Sequence, residues 1–182
     1  MKLKLTAVRL AFPALFEAKT VNGEGDPAFS AAFLIDPADP QVHAINAAID
    51  AAAKEKFGAK ADAVLKQMRA GDKVCLHNGD SKADYAGFPG NLFISARSKT
   101  RPLVLGADKS ALTAQDGRPY AGCYVNASIE LWAQDNNYGK RVNASLRGVQ
   151  FLHDGDAFAG GGAASEDEFD DVSAGVAADD LT

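Results

Sequence analysis

Residues 122–152 constrain the fold more tightly than any other stretch of this chain. Cys123, Val125, Ala127, Ile129 and Leu131 are apolar at every second position, and Tyr124, Asn126, Ser128, Glu130 and Trp132 fill the positions between. After the loop QDNNYG the alternation resumes, with Val142, Ala144 and Leu146 set against Arg141, Asn143, Ser145 and Arg147. Side chains alternate strictly along a strand, so one row must face a core and the other must face away from it. The two segments read as a long hairpin whose outer face carries the only Trp of the chain, a Tyr and two Arg among small polar residues.

Shorter pieces of the same kind precede it. Residues 3–12 form a strand in which Leu3, Leu5 and Ala7 hand over to Val8, Leu10 and Phe12, a change of phase that predicts a bulge or bend near Ala7. Residues 22–27 carry turn or flexible-loop chemistry, and Phe29, Ala31, Phe33 and Ile35 mark a second strand. Asp39 as N-cap and Pro40 at the first helical position open a helix with Val42, Ile45, Ile49 and Ala52 on one face, which Gly58 can stop. A second short helix covers residues 61–69. Short strands follow at 74–77, 92–99 and 102–105, with a long loop NGDSKADYAGFPG over residues 78–90 and a polar connector over 106–117. Several short strands with one helical insertion predict a mainly β (β-rich α+β) domain, a single small β-barrel.

Charge divides the chain in two. Residues from Asp154 onward hold nine acids and no base, which leaves 24 − 9 = 15 acids against 19 Lys and Arg in residues 1–153, a net of +4. A folded domain over residues 1–158 and a Gly-hinged, disordered acidic tail over 159–182 follow from this. A basic body points to a polyanion partner. A tail that only solubilises the domain is the competing explanation. No apolar run approaches a membrane span, no signal-peptide pattern opens the chain, and Cys75 and Cys123 lack paired spacing. These features predict a cytoplasmic protein without membrane attachment.

The outward rows carry the functional signal. On residues 92–99, Leu92, Ile94 and Ala96 point inward while Phe93, Ser95, Arg97 and Lys99 point outward. Aromatic rings interleaved with guanidinium groups suit single-stranded nucleic acid, because unpaired bases stack on rings and phosphates seek cations. The 78–90 loop adds Lys82, Tyr85 and Phe88 on a Gly-rich, mobile strip able to close over a strand. A helix or a partner subunit covering this face would instead make the aromatics ordinary core. His43, His77 and His153 are too far apart in sequence to form a metal motif, and no phosphate loop, H-E-x-x-H or G-x-S-x-G pattern is present. The sequence gives no cofactor and no catalytic residue.

Residues 85–105 (YAGFPGNLFISARSKTRPLVL) and 119–158, with GCYVNASIE followed by a GKRVNA-type strand, resemble a phage and prophage family of single-stranded DNA-binding proteins. The resemblance runs from the first strand to Phe158. It implies a single OB-type barrel that binds single-stranded DNA without sequence preference during replication or recombination, in the cytoplasm of a bacterial host. Among the residues placed by alternation, Phe93, Tyr124 and Trp132 are then the candidate base-stacking rings. Arg97, Lys99, Arg141 and Arg147 are their candidate cations, and Lys82, Tyr85 and Phe88 belong to the loop. Tail residues Glu166, Asp167, Glu168, Phe169, Asp170 and Asp171 are candidates for regulation, as a mimic of the DNA backbone, or for recruiting replication or recombination proteins. Unpaired strand edges leave a homo-oligomer open. A non-enzymatic adaptor that uses the aromatic face to bind another protein remains the alternative, with an enzyme acting on DNA ends third.

Overall fold

The computed structural model describes residues 1–21, 23–158, 169–170 and 172–173. The elements are β1 (Lys2–Val21), β2 (Glu24–Ile35), α1 (Gln41–Phe57), α2 (Ala61–Ala70), β3 (Leu76–Asn78), β4 (Leu92–Ser98), β5 (Leu103–Leu105), β6 (Tyr124–Asn136) and β7 (Gly139–His153). Tail residues Glu166, Asp167, Glu168 and Asp171 lie outside the described residues.

Five strands close on themselves. β1 pairs with β2 and with β6, β2 pairs with β4, β6 pairs with β7, and β4 meets β7 in parallel at Arg97 and Ser145. The strand circuit β1-β2-β4-β7-β6 is that of an OB barrel, with β3 and β5 as short additions beside β4 and β7. Closure removes the free edges that an open sheet of this length would present. The inward rows expected of the last hairpin hold: Cys123, Val125, Ala127, Ile129, Leu131, Val142, Ala144 and Leu146 are all buried.

β1 bends twice. Its register with β6 slips between Leu5 and Val8, where Ala7 takes φ 52° and its amide donates to Asn126 Oδ1 at 3.0 Å. This is the bulge that the change of phase requires. A second slip, against β2, falls between Ala11 and Ala14, where Phe12 takes φ 47°. The alternation of Val8, Leu10 and Phe12 placed all three rings and chains inward; the second bulge turns Phe12 out instead, to 54% exposure. Pro13 is the local cause, since it offers the ladder no N–H and settles in bulges.

The helices form one insertion between β2 and β3. Asp39 accepts the Gln41 amide at 3.0 Å, as an N-cap carboxylate does, and Ile45, Ala48, Ile49, Ala52 and Ala53 bury one face of α1 against the barrel. Gln41 also locks α1 to the first bulge, exchanging hydrogen bonds with the Thr6 backbone at 3.0 and 2.9 Å. Val64, Leu65 and Met68 anchor α2 in the same core. Among the described residues no helix is long and apolar enough to cross a membrane.

Candidate nucleic-acid interface

Barrel closure brings the outer rows of β4 and β7 side by side. Arg97 sits opposite Ser145, and Ser145 Oγ accepts a hydrogen bond from Trp132 Nε1 at 3.0 Å. Trp132 remains 45% exposed with its polar edge fixed, so an apolar ring face is held out to solvent. Arg97 is exposed and Arg141, on the same outer row of β7, is half-buried. Neither side chain has a hydrogen bond or ion pair to any described residue. Arg147 pairs with Glu130 at 3.0 Å and Lys99 with Asp26 at 3.2 Å. The Lys99 pair is 77% and 79% exposed, and such pairs hold their cations weakly enough for a phosphate to take them.

The strip continues from Arg97 toward β1. A trough of about 210 Å³ is lined by Phe12, Lys19, Ser30, Ser95 and Arg97. Phe12, Lys19 and Arg97 thus place a ring and two cations along one trough. Another groove, about 320 Å³ between β1, β6 and β5, is lined by residues such as Lys4, Asn126, Ser128 and Leu103 and offers no aromatic face.

Two of the expected contact rings are part of the interior. Phe93 and Phe88 are 3% and 1% exposed and form a second small core with Ala11, Ala32 and Leu34 on the outer side of the sheet. Phe93 does leave β4 on the face expected from alternation, but residues 79–91 lie over it. The 78–90 loop is correspondingly packed rather than a free strip. The Gly79 amide donates to Asn91 O at 2.7 Å, the Gly90 amide to Asp80 Oδ1 at 2.8 Å, and Asn91 Nδ2 to Gly87 O at 2.7 Å. A Cβ on Gly79 would lie 2.0 Å from the Phe88 carbonyl oxygen, so only glycine permits this close approach. Of the three expected contact residues on the loop, Lys82 and Tyr85 stay exposed, with Lys82 Nζ 5.9 Å from the Tyr85 ring centroid.

Tyr124 lies eight residues from Trp132 along β6, about 26 Å at the usual rise of a strand. Its ring sits 4.7 Å from that of His153 and 5.7 Å from the Arg9 guanidinium, so the structure does not bring it together with Trp132. Arg9 instead ties down the strap of residues 154–158. It donates to Gly122 O at 3.0 Å and Asp156 O at 2.8 Å and lies 4.4 Å from the Phe158 ring centroid. Phe169 and Asp170, the described residues of the expected tail site, are exposed.

Sequence reasoning missed Phe12 and Lys19. Pro13 was the available signal for Phe12. Nothing local marked Lys19, because β1 continues nine residues past the expected end at residue 12 to form an arm with β2. The two thiols are not reactive groups of this face. Burial pushes Cys75 up to about 12 and Cys123 up to about 11, which holds both as neutral thiols near pH 7.

The family model described as Enterobacter phage Enc34, ssDNA-binding protein, matches residues 1–182. Protein p50 of Acyrthosiphon pisum secondary endosymbiont phage 1 is 52% identical over 176 residues, covering 95% of each chain. Among solved structures, the single-stranded DNA-binding protein from bacteriophage Enc34 in complex with ssDNA superposes with a TM-score of 0.71 at 27% identity, covering 86% of this chain and 88% of that one. The single-stranded DNA-binding protein gp2.5 of bacteriophage T7 superposes with a TM-score of 0.58 at 16% identity, covering 90% and 98%, a likeness of fold alone.

Proposed function

The chain belongs to the Enterobacter phage Enc34 ssDNA-binding protein family, and on that premise we propose that it binds single-stranded DNA without sequence preference along the outer face of its barrel. The observation that carries this reading is the meeting of outer rows at the barrel closure, where Ser145 is neighbour both to Trp132 and to Arg97. A ring held by its N–H and flanked by cations attracts any base, because every base has a π face and every nucleotide a phosphate. In this reading Trp132 stacks, Arg97 and Arg141 take phosphates, and Arg147, Lys99 and Lys82 add charge along the path. Phe93 and Phe88 support the face from beneath.

Residues 1–158 would carry DNA binding, and 159–182 would serve as an acidic segment that competes with DNA or meets a replication or recombination protein. The role is protective and organising rather than catalytic, in the cytoplasm of the bacterial host. The test is a titration of the full chain with labelled oligo-dT and with duplex of equal length at two salt concentrations. Tight oligo-dT binding that weakens with salt and exceeds duplex binding supports the reading. Absence of oligo-dT binding at low salt would return the face to a protein–protein role.

A further inference from the structure

Next to the trough lies a deeper slot of about 540 Å³, within the range of roughly 300–1,000 Å³ that encloses small organic ligands. Phe12 and Tyr85 line it side by side, in edge-to-face contact with 5.0 Å between centroids and an interplanar angle of 87°. Phe88 closes the floor 5.7 Å from Phe12, and Phe158 borders the far side. Phe12 and Tyr85 are 54% and 49% exposed, unusual for two large rings in contact, and an edge-to-face pair leaves ring faces open to a third. The backbone is bent to achieve this: Phe12 holds φ 47°, a conformation that an aromatic residue rarely adopts.

Three observations say what the slot takes. It shares Phe12 and Lys19 with the trough that leads to Arg97, so it is continuous with the proposed DNA path. Lys82, outside the lining itself, stands beside Tyr85 with Nζ 5.9 Å from the ring centroid, a cation within reach of a backbone phosphate. Lys19 and the exposed Asp84 both line the slot, so its charged lining balances, which suits a neutral heterocycle better than a phosphate. We infer that the slot is a nucleobase pocket: one base of the bound strand leaves the path at Lys19 and inserts against Phe12 and Tyr85. This inference rests on the ssDNA-binding reading above and adds a second aromatic subsite, separate from Trp132.

The test uses the full chain and two variants, Phe12→Leu and Tyr85→Leu, which keep apolar bulk and remove the stacking face. Thermal unfolding checks that each folds, and Tyr85, on an exposed part of the loop, guards against a Phe12 variant that does not. Affinity is read by anisotropy of labelled oligo-dT. Contacts are mapped by photocrosslinking oligo-dT that carries 4-thiothymidine. Each variant should bind about ten-fold more weakly, the quenching of Trp132 at saturation should be unchanged, and wild-type crosslinks should fall on Phe12 or Tyr85. Wild-type affinity in both variants, as a slot for a protein side chain would give, overturns the inference, as do crosslinks confined to the Trp132 strip. A wild-type chain that fails to bind oligo-dT overturns the underlying reading, and the pocket with it.

Discussion

Trp132 donates its indole N–H to Ser145 Oγ at 3.0 Å, on the residue of β7 that pairs across the barrel closure with Arg97. One hydroxyl therefore orients the exposed ring and marks the seam where the nearest uncommitted guanidinium begins. If that ring stacks bases, Trp132→Ala should weaken oligo-dT binding by about 1–3 kcal/mol. Ser145→Ala should cost less, since the ring remains but loses its orientation. Anisotropy titrations at fixed salt measure both.

Arg97 and Arg141 are expected to meet phosphates rather than bases. Replacing Arg97 with Ala should lower affinity for all oligonucleotide sequences alike. It should also reduce the slope of log affinity against log salt by about 0.7, the value for one phosphate of a single strand. Lys99→Ala should act in the same direction with a smaller effect, because Asp26 already occupies that cation. A salt series on each variant provides the slopes.

The barrel was legible in the alternation of residues 122–152, since the eight apolar positions from Cys123 to Leu146 must all face one side for the hairpin to have a core at all. The helical insertion was legible in Asp39, Pro40 and the spacing of Ile45, Ile49 and Ala52. The outer face was legible only in part. Alternation says that Phe93 leaves the opposite side of β4, but it does not say that Phe88, brought back by a turn around Gly79, lands on top of it. Coverage of one surface by a distant loop is a tertiary event with no periodic trace. The same holds for Phe12, whose side is decided by a bulge at Pro13, and for Tyr124, whose ring is engaged by Arg9 from β1 and by His153 from β7.

Phe88 and Phe93 should behave as core residues. Phe88→Ala should lower the unfolding free energy by about 3–5 kcal/mol, whereas Trp132→Ala, at an exposed site, should cost far less stability. Chemical denaturation of the two variants separates the supporting layer from the contact layer.

Burial raises both thiols, Cys75 to about 12 and Cys123 to about 11, so each is neutral in the folded chain at pH 7–8, where only the thiolate attacks. Modification of the folded protein should stay slow throughout that range, although it rises with pH as the small thiolate fraction does. Maleimide should label neither cysteine under native conditions and both in denaturant, as mass spectrometry will count. Rapid native labelling of Cys123 would show that the barrel opens at the start of β6.

Truncation after Phe158 removes seven of the chain's carboxylates and no base, while it leaves the Arg9 clamp on Phe158 in place. A tail that competes with DNA predicts tighter oligo-dT binding by the truncated chain, with the gain largest at low salt, where screening is weakest. Equal affinity of the two chains at every salt concentration would confine the tail to partner recruitment or solubility.

The central claim is that the outer strip of the barrel stacks the bases of a single strand, and the emission of Trp132, the one Trp in the chain, reports on it directly. Titration with oligo-dT at low salt should quench that emission saturably, and added salt should restore it as the strand dissociates. Unchanged Trp132 emission while anisotropy reports bound oligo-dT would contradict the claim and move the binding surface elsewhere on the barrel.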